Sequence, residues 1–141
     1  MELTKASKIG LYALVEMALN PEERLSASAI SDRFAQSENH VAKVLQQLQR
    51  AGLVTSTRGV GGGYELARPA SKLTVADVVR CLEGPLANDP CVDCPLRRDD
   101  KCHEGQLATC RVHGLLEEIS SHIYYTLESV TIATLARGRS L

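Results

Sequence analysis

The sequence predicts a mainly α chain with a small β wing: a winged helix-turn-helix followed by a long helix suited to dimerisation. Three observations predict it. Apolar residues recur at helical spacing in successive segments before residue 50. Two short β-rich runs flank the glycine turn Arg58-Gly59-Val60-Gly61-Gly62-Gly63. A separate, longer periodic run begins after residue 110.

The first helix carries Leu11, Leu14, Val15, Ala18 and Leu19, spaced as one face of an amphipathic helix, with Ser7 as its expected cap and Asn20-Pro21 as its stop. A short second helix follows Ser26, turning Ala27, Ile30 and Phe34 inward. A turn at Ala35-Gln36 leads to Ser37, which stands in an N-cap position before the third run. That run buries Val41, Val44, Leu45 and Leu48 and leaves Asn39, His40, Lys43, Gln46, Gln47 and Arg50 on the rest of the cylinder; Gly52 closes it. Strands are expected at Leu53–Thr57 and Tyr64–Ala67. Thr74 and Asp77 have capping-box spacing ahead of a fourth helix with the apolar face Val75, Val78, Val79 and Leu82, closed by Gly84-Pro85. Beyond a polar, cysteine-bearing stretch, Val112, Leu116, Ile119, Ile123 and Leu127 mark a long helix. Its stripe has no evident partner in the winged part, so a second subunit is expected to cover it. The expected organisation is a winged helix-turn-helix over 1–84, a cysteine-rich loop over 85–109, and a dimerisation helix with its C-terminal segment over 110–141.

The 141 residues suit one compact domain of ordinary size, and 44% hydrophobic with 23% charged residues points to an ordered chain. With 16 Lys+Arg against 17 Asp+Glu, no bulk positive charge announces nucleic acid, so any DNA-binding surface must be a local patch. The absence of Trp and the single Phe argue against modules that stack unpaired bases on aromatic platforms. No apolar run reaches membrane-spanning length and no secretory signal is readable; the cytoplasm is the expected compartment.

A local patch is present. A recognition helix enters the major groove with its N-terminal residues at base edges, and Ser37, Asn39, His40 and Lys43 occupy that first turn and a half. Over residues 33–68, Arg33, Lys43, Arg50, Arg58 and Arg68 outnumber Glu38 and Glu65. Arg58, on a turn free of bulky neighbours, suits a narrow minor groove, and Gly59 and Gly61 allow the backbone to approach the duplex closely. A merely solvated polar face is the plain alternative; the helix–helix–hairpin order favours DNA. A phosphate-binding loop does not fit, because these glycines precede a strand and no Gly-Lys-Ser/Thr appears.

Four of the five cysteines crowd into one stretch as Cys91-x2-Cys94-x7-Cys102-x7-Cys110, with His103 and His113 beside them. In a chain without an export signal this suggests metal or redox chemistry more than disulfides. Four thiolates on one loop can wrap an iron–sulphur cluster, 2Fe–2S or 4Fe–4S, with tetrahedral zinc as the runner-up. Cys81 reads as a small core residue, and His122 as a surface or interface histidine. A thiol oxidoreductase is disfavoured, since Pro90 and Pro95 bracket Cys91-x-x-Cys94 and no βαβ context is readable.

These residues resemble the IscR/NsrR-type family of bacterial winged-helix regulators. The likeness spans nearly the whole chain: Leu3 to Lys5, Gly52-Leu53-Val54, Arg58 to Tyr64, Cys110-Arg111-Val112-His113 and Val130-Thr131-Ile132. The resemblance implies a dimer that binds double-stranded DNA and senses iron–sulphur cluster status, nitric oxide or cysteine supply. It places Ser37, Asn39 and His40 at DNA and Arg58 in the wing contact. Ala42 stands where some relatives have a base-reading Glu. The family's ligands are usually three cysteines separated by five residues each, sometimes with a histidine three after the last. This chain departs from that spacing, and the ligand set expected for it is Cys91, Cys94, Cys102 and Cys110, with His113 in reserve. A cluster-free or zinc-bound regulator of the same fold, working through thiol oxidation or a protein partner, is the alternative.

Overall fold

The computed structural model describes residues 2–86, 94 and 110–138. In chain order these form α1 (Lys5–Leu19), α2 (Ala27–Phe34), α3 (Glu38–Arg50), β1 (Val54–Thr57), β2 (Gly63–Leu66), a single 3-10 turn (Ala70–Lys72), α4 (Val75–Glu83), α5 (Arg111–Ser129) and α6 (Ile132–Ala136). The result is the expected mainly helical winged helix with a two-stranded antiparallel wing. None of the described helices is long and apolar enough to cross a membrane.

Helix α1 begins earlier than expected, and Thr4 rather than Ser7 is its cap: Thr4 Oγ1 accepts the Ser7 N–H at 3.2 Å, while the Ser7 side chain is fully buried. The buried face also differs from the expected stripe. Ile9, Ala13, Leu14 and Met17 are buried, Leu11, Val15 and Ala18 pack partly against the core, and Leu19 is 53% exposed. The reason is position: α1 packs against α3, α4, β2 and α6 together, so more than one side of the cylinder is covered.

Helices α2 and α3 follow the reading closely. Ser26 and Ser37 cap them through their hydroxyls, and Ala35 makes the turn between them in a left-handed conformation, φ 49°. The four α3 residues expected inside are buried to 1% exposure or less. The wing pairs Val54 with Leu66 through Thr57 with Gly63, one residue from the expected bounds on β2. Leu25 adds a short bridge to Tyr64, which ties the hairpin to the α1–α2 connection.

The capping box of α4 is formed in both directions, with Asp77 N–H to Thr74 Oγ1 at 3.1 Å and Thr74 N–H to Asp77 Oδ2 at 3.0 Å. Helix α5 stops at Ser129, and Thr131 caps a separate α6 whose Ile132 is buried in the main core. Backbone bonds from Val75 N–H to Val130 O (2.9 Å) and from Ile132 N–H to Leu73 O (2.8 Å) fasten the end of α5 to the start of α4. The stripe of the long helix is therefore divided. Leu127 packs with Val75, Val79 and Val130, a partner the periodicity did not reveal, whereas Val112, Leu116 and Ile119 are exposed.

Candidate functional site

Burial of Val41, Val44, Leu45 and Leu48 leaves the opposite side of α3 to solvent, with Ser37, Asn39 and Lys43 exposed and His40 half-buried. Ser37 is partly committed to structure: its Oγ accepts the His40 N–H at 3.4 Å, leaving its own hydroxyl proton free to donate. Asn39, Lys43, Gln46 and Arg50 succeed one another at helical intervals along this face.

The wing turn stands beside the C-terminal half of the same helix. Arg58 is exposed, and Val60 at the tip is fully exposed. Gly59 and Gly61 adopt φ 97° and 73°, which a side chain would strain. Gly62 is demanded by space instead: a Cβ there would lie 2.3 Å from the Thr57 carbonyl oxygen. Between α3 and the hairpin lies an open groove of about 590 Å³, bordered by Gln46, Gln49, Arg50, Ser56, Thr57 and Arg58. Among the described residues no carboxylate lines it. Arg50 and Arg58 belong to the cation excess read from the sequence, whereas Gln46, Gln49, Ser56 and Thr57 do not figure among the expected site residues. The signal was available, since Gln46 and Arg50 continue the polar stripe begun by Asn39 and Lys43.

Charge on this face is arranged differently from the sequence count. Arg33 is held by Glu16 of α1, and Arg24 approaches Glu65 at 3.6 Å. Lys43, Arg50 and Arg58 have no ion-pair partner among the described residues, and Glu38 is an unpaired carboxylate on the same helix; Arg68 borders a different pocket, together with Glu23 and Glu65. Such exposed pairs are individually weak, yet they decide which cations remain available to a polyanion.

The cysteines fall into two environments. Cys81 is half-buried behind α3, its thiol donating to the Gln47 carbonyl at 3.4 Å, and burial pushes that thiol up from its ordinary value. It is a packing residue, as expected. Cys94 and Cys110 are half-buried free thiols, and Cys110 caps α5, its sulphur accepting the His113 N–H at 3.4 Å. His113 also lies 3.8 Å from Glu117. Cys91, Cys102 and His103 lie outside the described residues. Among the described residues no three His, Cys, Asp or Glu side chains converge on a metal position.

A family model described as an iron-dependent transcriptional regulator, Rrf2, matches residues 3–138. The HTH-type transcriptional regulator BadM of Rhodopseudomonas palustris is 38% identical over 137 residues, 97% of this chain and 82% of that protein. Among solved structures, CymR, the global cysteine regulator of B. subtilis, superposes with a TM-score of 0.81 at 26% identity, covering 99% of each chain. IscR of T. potens superposes at 0.72 with 27% identity, over 97% of this chain and 87% of that one. The relatives are regulators and not enzymes, and a match across almost the full length, on a winged helix of this architecture, leads to one conclusion: the chain belongs to the Rrf2 family of transcriptional regulators.

Proposed function

We propose that the protein is a homodimeric regulator that grips duplex DNA with α3 and the wing, and whose grip responds to an iron–sulphur cluster held by Cys91, Cys94, Cys102 and Cys110. The observation that carries the DNA part is that Arg50 and Arg58, which border the α3–wing groove, and Lys43 on the same helix have no ion-pair partner among the described residues. Ser37, Asn39, His40 and Lys43 meet base edges in the major groove, where Asn reads adenine and Lys reaches guanine or phosphate. Arg58 enters the adjoining minor groove, with Gly59 and Gly61 keeping the wing backbone close. Exposed Val112, Leu116 and Ile119 pair with a second copy, which sets two recognition helices about 34 Å apart or a multiple of that.

The thiols suit a cluster. Soft donors within one short stretch match its iron, and the N–H···S bond at Cys110 is the kind of outer contact that supports a metal-bound thiolate. When bound, the cluster supplies chemistry sensitive to redox state and nitric oxide. The chain supplies the rest: the four thiols fix where α5 begins, and the α4–α5 contact carries that constraint to the head. Bound ligand changes DNA affinity only as far as it prefers one arrangement of head and arm over another. A zinc-bound or cluster-free regulator acting through thiol oxidation or a protein partner is the second reading, favoured by the likeness to a cysteine regulator.

The test is spectroscopic. Protein purified without oxygen is expected to be coloured, to contain iron and sulphide, and to lose its visible absorbance on Cys94→Ala. Colourless protein with stoichiometric zinc replaces the cluster with the second reading.

A further inference from the structure

We propose that Arg80 is the residue that sets the angle between the reading head and the dimer arm, and so determines which half-site separation the dimer accepts. The proposal rests on the dimeric DNA reading above. Arg80 lies on α4, part of the head, and its guanidinium reaches across to α5. Nη2 donates to the Tyr124 hydroxyl at 3.2 Å and pairs with Glu128; Nη1 approaches Asp77 of its own helix at 3.6 Å; and the guanidinium carbon lies 5.5 Å from the centre of the Tyr124 ring. One planar cation is thus held by a carboxylate from each helix and by an aromatic face. Tyr124 and Glu128 are four residues apart, one turn of α5, so they present a common face to it.

The location gives the contact its consequence. The end of α5 is fastened to the head by the Thr74–Thr131 bridge and the packing of Leu127 and Val130 on Val75 and Val79. A helix fixed at one end can still tilt, and a second point of attachment is what sets its direction. On the side of Arg80 away from that anchored end, an open cleft of about 360 Å³ lies between the helices, with Val79 and Glu83 of α4 and Ser120, Ile123 and Tyr124 of α5 among its lining. Arg80 thus stands between the anchored end and the cleft. From Glu128 to Arg111 the arm extends ~26 Å, so a tilt of ~10° at the joint displaces its far end by ~4–5 Å, more than the ~3.4 Å of one base step.

Selection from a library of random 30-base-pair duplexes with the full-length protein tests this. Wild type is expected to recover two inverted half-sites at one separation. Arg80→Ala is expected to recover the same half-site sequence with the separation shifted or spread by a base pair or more. Tyr124→Phe and Glu128→Gln, which leave the head untouched, are expected to spread it as well, and Arg80→Lys to fall between Arg80→Ala and wild type. Loss of folding alone would weaken binding at every separation without moving the preferred one. If Arg80→Ala does not fold, the two α5 variants decide the matter. An unchanged single separation in the variants overturns the role of Arg80; a wild type that recovers no paired half-sites overturns the dimeric reading beneath it.

Discussion

The arrangement of charge on α3 and the wing has a measurable consequence in salt. Three cations per protomer on this face, Lys43, Arg50 and Arg58, carry no ion-pair partner among the described residues, whereas Arg33 is engaged by Glu16. Each phosphate neutralised contributes ~−0.9 to the slope of log affinity against log salt, so two protomers with three cations each reach ~−5. Between about 50 and 200 mM salt that slope costs roughly 10³-fold in affinity. Arg58→Ala removes one cation from each protomer and is expected to flatten the slope by ~1.8, with a loss of ~1–3 kcal/mol in affinity if the wing reads base edges. Arg33→Ala serves as the control and is expected to leave the slope unchanged. Fluorescence anisotropy of a labelled duplex across a salt series measures both. A wild-type slope in Arg58→Ala, or an equal flattening in Arg33→Ala, would refute the assignment of this face.

Two further predictions concern the scaffold. Ala35 is exposed and holds a left-handed backbone, which costs a non-glycine residue roughly 1–2 kcal/mol, partly offset by the greater freedom of unfolded glycine; Ala35→Gly is expected to gain about 0.5–1 kcal/mol in urea unfolding. A loss there would mean that the Ala35 methyl contributes packing. At Glu83, burial alone would raise the carboxyl, but hydrogen bonds from Ser7 and from the Thr4 backbone and hydroxyl outweigh it and hold the group below its usual range. Its folded value lies below the unfolded one, so its contribution is present above the unfolded value of ~4.3 and disappears as acid titrates through the folded value. Being exposed, it is worth less than ~1 kcal/mol. Glu83→Gln is therefore expected to lower the urea midpoint slightly at pH 7 and to converge with wild type in acid, once the pH falls below the folded value; a difference that stays constant into that acid range would contradict the hydrogen-bond account.

What the sequence discloses and what it conceals divide along physical lines. Helix α3 was legible because one side of it is buried and the other is not, so Val41, Val44, Leu45 and Leu48 stand out by period alone. The α4 capping box was legible because its two partners are three residues apart. Helix α1 was misread because several elements cover it, which blurs the stripe and hides Ser7 inside. Contacts between distant positions left no local trace: the Thr74–Thr131 bridge, the Arg33–Glu16 pair and the Arg80–Glu128 pair all depend on tertiary packing. At the candidate site the first turn of α3 and the wing glycines were readable from spacing. The groove was not, because Gln49, Ser56 and Thr57 become neighbours only when the hairpin folds back beside the helix.

In the proposed mechanism the cysteine stretch governs how firmly the head holds DNA. One anaerobic preparation, divided into a portion with its cluster intact and a portion stripped by chelation, can be titrated against the same selected duplex at fixed salt. The two portions are expected to differ at least about fivefold in affinity, the lower end of ordinary coupling between sites. Superimposable titration curves would contradict that mechanism.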